Sequence, residues 1–130
     1  MTQTHHLVSR IAVIILAIVL ICFGLYHFIS PQNLAGYVPA FMPGGQIWVY
    51  IVGVAFILAG LAFIMHKQVR LAGYLLALLL FVFVLTIHLP NYLNSGSPEM
   101  RQLAFVNVLK DTALAAFALY LASNARNLEG

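Results

Sequence analysis

Four long apolar stretches are the feature of this sequence that most restricts its fold. They cover residues 11–29, 47–65, 71–89 and 103–122, and each has roughly the 20 residues that a helix needs to cross a bilayer core about 30 Å thick. Only 7% of the residues are charged, whereas about a quarter are charged in a soluble domain. The sequence therefore predicts an all-α integral membrane protein in which residues 1–130 form one domain, an up-down four-helix bundle.

The basic residues predict the orientation of these spans. Arg10, Lys67, Arg70 and Arg126 fall on the side that holds both termini, and only Arg101 marks the opposite side. Because positively charged loops stay in the cytoplasm, both termini are expected to be cytoplasmic, in a bacterial-type cytoplasmic membrane. The first stretch is longer than the apolar core of a cleaved signal peptide, so we interpret it as a true span. Six Lys and Arg residues are too few and too scattered for a nucleic-acid interface.

The first outer connection, residues 30–46, carries no charge. Ser30 followed by Pro31 is a favourable N-cap and first-turn pair, so a short helix is expected to begin there and to end before Pro39. The apolar residues after it would cover the outer end of the bundle as a lid, and an ordinary interfacial loop is the alternative. These residues are Tyr37, Val38, Phe41 and Met42.

The second outer connection, residues 90–100, is expected to be a more polar loop. Ser97 and Pro98 repeat the capping pattern, so the fourth helix should begin there, outside the hydrocarbon core. On the cytoplasmic side, the short turn at residues 66–70 makes the second and third spans antiparallel neighbours.

The fourth stretch contains three polar residues, Asn107, Lys110 and Asp111, that lipid would not accept. On a helical wheel they lie within about 100° of one another. A lysine or an aspartate at mid-membrane costs about 2.5 to 3.5 kcal/mol, so these side chains must meet protein, water or a ligand. Small residues that allow close helix packing cluster around the direction of Asp111, which is therefore expected to point into the bundle. They are Ala104, Ala115, Ala118 and Ala122.

Other spans supply candidate partners for this polar face. His27 and His88 lie near the outer ends of the first and third spans, and Asp111 is the only carboxylate within a span. In the second span, Gly53 and Gly60 form a helix-packing stripe that leaves room for a neighbour. If this stripe faces the fourth span, a polar cavity follows. Its predicted lining is Tyr50, His27, His88, Asn107, Lys110 and Asp111.

Each of these features also has a structural interpretation. Lys110 and Asp111 could form a clamp that fixes helix register, and each histidine could be an interfacial anchor. Haem held between His27 and His88 is a disfavoured alternative, and the sequence indicates no metal site. A single cysteine, Cys22, excludes an intramolecular disulfide.

Several scattered motifs are shared with a known family. The sequence resembles the DoxX-like family of small four-span membrane proteins over nearly its whole length. The residues that carry the resemblance are Phe23-Gly24-Leu25-Tyr26-His27, Val38-Pro39, Pro43-Gly44, Gly53, Gly60, Ile87-His88-Leu89-Pro90 and Leu109-Lys110-Asp111.

The resemblance implies two different functions. The family takes its name from a membrane subunit of thiosulfate:quinone oxidoreductase, and distant animal relatives act as assembly factors for membrane proteins. Because the chain has no flavin, haem or nucleotide motif, we expect no intrinsic cofactor and at most an accessory oxidoreductase subunit. The first hypothesis is a subunit that binds a quinone or a lipid and works with redox partner proteins. The second is a non-enzymatic scaffold or chaperone with a structural Lys/Asp/His core, and homo-oligomerisation is compatible with both.

Overall fold

The computed structural model describes residues 3–36 and 43–125, and within this part the chain is helical with no strand. Four helical spans are long and apolar enough to cross a membrane, which confirms the predicted all-α four-span architecture. The third span is continuous through three consecutive helical elements, the middle one a π-helical segment. The elements are α1 (Gln3–Ile29), α2 (Pro31–Ala35), α3 (Gln46–Met65), α4 (Val69–Phe83), the π-helical segment (Val84–His88), α5 (Leu89–Asn94) and α6 (Pro98–Ser123).

The bundle consists of two tightly packed helix pairs, α1 with α3 and α4 with α6. Glycines make the first pair close, since a methyl group on Gly24 would lie 2.7 Å from the carbonyl oxygen of Gly53. A methyl group on Gly60 would lie 2.8 Å from the carbonyl oxygen of Ala17. The Gly53 and Gly60 stripe therefore packs against the first helix. The condition that it faces the fourth span is therefore not met, because Gly24 on α1 supplies the complementary gap.

The second pair also packs closely at a glycine, which here lies on α4 and faces alanines of α6. A methyl group on Gly73 of α4 would lie 2.8 Å from the carbonyl oxygen of Ala118 and 2.9 Å from the Cβ of Ala122. Both alanines are fully buried, as predicted for the small residues that cluster around the direction of Asp111. Large apolar side chains cover the outer surface of the bundle, where they would contact lipid; Ile18, Leu58, Leu78 and Leu109 are examples.

The third span is longer than predicted, because the helix continues past Pro90 to Asn94. The expectation of a loop over residues 90–100 is therefore wrong for its first half. In the π-helical segment the N–H of Leu89 donates to the carbonyl oxygen of Val84, five residues earlier. Proline interrupts an α-helix because it lacks an N–H and its ring crowds the preceding turn. Here Pro90 stands in the first turn of α5, directly after the π-helical segment, where the hydrogen-bond register has already changed.

The predicted helix starts are confirmed at both outer connections. A short helix begins at Pro31 after Ser30, and α6 begins at Pro98 after Ser97, whose Oγ accepts a hydrogen bond from the N–H of Met100. The turn on the terminal side is tight because His66 and Gln68 both have a φ of 55°. The proposed lid residues, Tyr37, Val38, Phe41 and Met42, lie outside the described residues, as does Arg126.

Candidate functional site

A cavity of about 550 Å³ lies between the two helix pairs, in the half of the bundle away from the termini. Its volume is in the range of about 300–1,000 Å³ that is usual for small-molecule pockets. All four spans and the short helix α2 contribute to its walls. Apolar walls come from Leu20, Phe23, Val52, Phe56, Leu79 and Leu114.

Asp111 is the buried polar centre of the site, with only 5% of its surface exposed. Its Oδ2 lies 3.0 Å from Nε2 of His88, at the end of the π-helical segment. Its Oδ1 lies 3.9 Å from Nζ of Lys110 on the same helix. Because an ionised carboxylate only accepts hydrogen bonds, Nε2 of His88 donates the proton in this contact. The pair joins the third span to the fourth.

Lys110 differs from Asp111 in its exposure. Its side chain is 45% exposed, against 7% for the side chain of Asp111. The separation of 3.9 Å is too long for a hydrogen bond, although it allows electrostatic attraction. Nζ also lies 5.2 Å from the centroid of the Phe23 ring, which is a cation–π distance. The ammonium group thus stands at the wall of the cavity between α6 and α1.

His27 and Asn107 line the same cavity. Nδ1 of His27 lies 2.6 Å from the carbonyl oxygen of Phe23, and since a carbonyl only accepts, Nδ1 donates. This contact leaves Nε2 as the ring nitrogen that can bond to another group. The imidazole makes a T-shaped contact with the ring of Phe56, with the ring centroids 5.4 Å apart.

The structure brings together five of the six side chains predicted to line a polar cavity. The sixth, Tyr50, does not line it and instead stacks on Phe28, with the ring centroids 5.4 Å apart. This placement follows from the orientation of α3, because the face that carries Tyr50 and Gly53 packs against α1.

The sequence reasoning missed Asn33, Trp48 and Thr86, which also line the cavity. Trp48 is fixed by its indole N–H, which donates to the carbonyl oxygen of Pro43 at 2.5 Å.

The π-helical segment was missed as well. A proline two residues after His88, at the end of an apolar run, was the available signal, and π segments within α-helices are frequent at functional sites.

The polar side chains of the site suit recognition of a polar group. Within residues 3–36 and 43–125, no group of three or more His, Cys, Asp or Glu side chains is placed to hold a metal ion. His27 and His88 both face one cavity, but Nε2 of His88 is engaged by Asp111. The arrangement offers an ammonium group, an amide and two imidazoles beside apolar walls, which suits an apolar molecule with a polar head.

Comparison with known proteins places the chain in a family. No curated protein and no solved structure matches it. A family model described as a domain of unknown function, DUF8561, matches residues 16–126. This match begins within the first span, and it includes the other three spans and every residue of the cavity. The chain therefore belongs to the DUF8561 family.

Proposed function

We propose that this protein is a membrane subunit that binds a quinone or a lipid-like molecule in the cavity between its helix pairs. The observation that carries the proposal is the contrast between apolar walls and one polar cluster at membrane depth. Ionisable groups inside a bilayer are costly and are functional candidates by default. The tail of such a ligand would lie against Phe23 and Leu114, and its head would meet Lys110 and Asn107.

The resemblance to DoxX-like proteins supports a role beside a membrane redox system. In that role a partner protein supplies the electrons to a bound quinone, and the Asp111–His88 pair transfers protons. The chain is then an accessory subunit and not an autonomous enzyme. Its basic residues support cytoplasmic termini in a bacterial-type cytoplasmic membrane, so the cavity would lie in the outer half of the bilayer.

Ligand extraction tests this proposal. The protein is purified from its native membrane, extracted with organic solvent and analysed by mass spectrometry for quinones and lipids. We expect one ligand to be present at a stoichiometric level and to be strongly reduced in the Lys110→Met variant. Lys67→Met is the matched control, because Lys67 is exposed in the turn on the opposite side of the bundle. A wild-type protein without any stoichiometric quinone or lipid would contradict the proposal, as would an unchanged ligand content in Lys110→Met.

A second candidate function is a scaffold or chaperone for other membrane proteins. The Asp111–His88 contact favours it, because a buried carboxylate paired at 3.0 Å is also what a structural clamp between two spans requires. Affinity capture from native membranes, followed by identification of the co-purified chains, tests this function. A stable membrane partner that is retained by both wild type and Lys110→Met would support it. Wild-type protein that captures no such partner would contradict it.

A further inference from the structure

The two opposite charges of the site are not equally available to a ligand. The Asp111 side chain is 7% exposed, and each of its oxygens already faces a nitrogen of His88 or Lys110. The Lys110 side chain is 45% exposed. The anion is therefore hidden in the protein and the cation is presented to the cavity.

The ammonium group of Lys110 also lacks a hydrogen-bond acceptor among the described residues. Its neighbours there are the Asp111 carboxylate at 3.9 Å and the face of Phe23, and neither accepts a conventional hydrogen bond at that geometry. An ammonium group carries three donors. An acceptor for them inside a membrane has to come from water or from a ligand.

Asn107 adds donors of the same kind. It lies one helical turn before Lys110, lines the same cavity, and its side-chain amide forms no hydrogen bond with the described part of the chain. Donors on one face of α6 thus line the same cavity. Hydrogen bonds to an ionised oxygen are roughly twice as strong as those between neutral groups, so such a site discriminates in favour of an anion.

We propose that, of the quinone and the lipid-like molecule named above, the ligand is the lipid-like one, an amphiphile with an anionic carboxylate head such as a long-chain fatty acid. This inference rests on the proposed ligand-binding function. The carboxylate is held by Lys110 and Asn107, and the hydrocarbon tail lies against the apolar wall that includes Leu20, Phe23 and Leu114.

Trp48 provides the readout for a test. It is the only tryptophan in the sequence and it lines the cavity, so a brominated tail bound there quenches its fluorescence. The probes are dibromostearic acid, ionised at alkaline pH, and dibromostearyl alcohol, which has the same tail and no charge. Each is titrated into the full-length protein in nanodiscs of zwitterionic phosphatidylcholine. We expect the acid to reach half-maximal quenching at about tenfold lower concentration than the alcohol, as charge-assisted hydrogen bonds imply.

Variants of Lys110 locate the origin of that preference. Lys110→Met is expected to bring the ratio between acid and alcohol close to one, and Lys110→Arg to keep it. Asn107→Leu is expected to lower the preference by a smaller factor. If size-exclusion chromatography shows that Lys110→Met does not fold, the comparison of wild type with Asn107→Leu and Lys110→Arg remains decisive.

Three outcomes distinguish failure of the anionic head group or of Lys110 from failure of the proposed ligand-binding function. Equal quenching of wild type by acid and alcohol overturns the anionic head group while leaving ligand binding in place. A preference for the acid that persists in a folded Lys110→Met overturns the role of Lys110. Quenching by neither probe, together with the absence of an extracted ligand, contradicts the proposed function itself.

Discussion

Nε2 of His88 lies 3.0 Å from Oδ2 of Asp111, and this contact joins the third span to the fourth at the wall of the cavity. Each residue is expensive in a membrane when it is alone, since an unpaired ionisable group has no water to solvate it. The pair therefore stabilises the bundle and shapes the site at the same time.

A double-mutant cycle measures the strength of this pair. We expect His88→Phe and Asp111→Leu to be coupled by about 1–2 kcal/mol, toward the upper end of the values for hydrogen bonds between membrane helices because a carboxylate is involved. The free energy of unfolding in mixed micelles gives the coupling. His27→Phe with Asp111→Leu is the control cycle and should be additive within about 0.5 kcal/mol, because the structure shows no direct bond between His27 and Asp111. Additive effects of His88→Phe and Asp111→Leu would contradict the predicted coupling.

Glycine substitutions test the close pairing of α1 with α3. In Gly24→Ala the new methyl group would lie 2.5 Å from Cγ1 of Ile57 and 2.7 Å from the carbonyl oxygen of Gly53. Since a backbone oxygen cannot move aside cheaply, we expect a loss of about 1–3 kcal/mol in the free energy of unfolding. Gly36→Ala is the control, because its methyl group would meet nothing closer than an oxygen at 3.7 Å. Equal stabilities of the two variants would show that the helix pair is looser than described.

The number of spans and the polar face of the fourth are the parts of this structure that the sequence predicts well. A span needs a fixed length of apolar residues, and Asp111 is buried because small residues on its own helix, Ala115 and Ala118 among them, share its direction. The partner of a glycine stripe is harder to predict, since Gly53 and Gly60 would suit any close neighbour. That choice depends on Gly24 and Ala17 of another helix, and the spacing within α3 does not contain this information.

The direction of His88 is the other property that periodicity does not give. A helical wheel assumes 100° per residue, whereas a π-helical turn changes the angle for every residue after it. Depth along the span makes His88 a candidate partner of Asp111, and the structure brings the two together. The wheel, however, does not give the direction in which the His88 side chain points. Tyr50 shows the same limit, because its position depends on which helix the α3 stripe contacts.

The π-helical segment itself can be tested at Pro90. A proline at this position leaves the carbonyl oxygen of Thr86 without its usual N–H partner. We infer that this loss favours the wider register of the segment Val84–His88. In Pro90→Ala we expect the regular α-helical register to compete with the π register of this segment. The α-helical register would turn His88 away from Asp111. The coupling in the His88–Asp111 cycle should then fall below about 0.5 kcal/mol, the usual limit of additivity. Pro98→Ala is the matched control, since Pro98 begins α6 and its substitution should leave the coupling unchanged. A coupling that is retained in Pro90→Ala would show that helix packing, and not the proline, fixes the π register.

The orientation of the bundle is tested by cysteine labelling, and the chain is well suited to it because Cys22 is its only cysteine. In a Cys22→Ser background, Gly96→Cys places a thiol in the outer connection, where a Cβ at that position meets nothing within 4 Å. Lys67→Cys places one in the exposed turn at the other end. Since Arg10, Lys67 and Arg70 lie on one side, we expect a membrane-impermeant maleimide to label the Gly96→Cys variant in intact cells. The Lys67→Cys variant should be labelled only after permeabilisation. The reverse pattern would place the cavity in the cytoplasmic half of the bilayer, and its ligand would then be drawn from the inner leaflet.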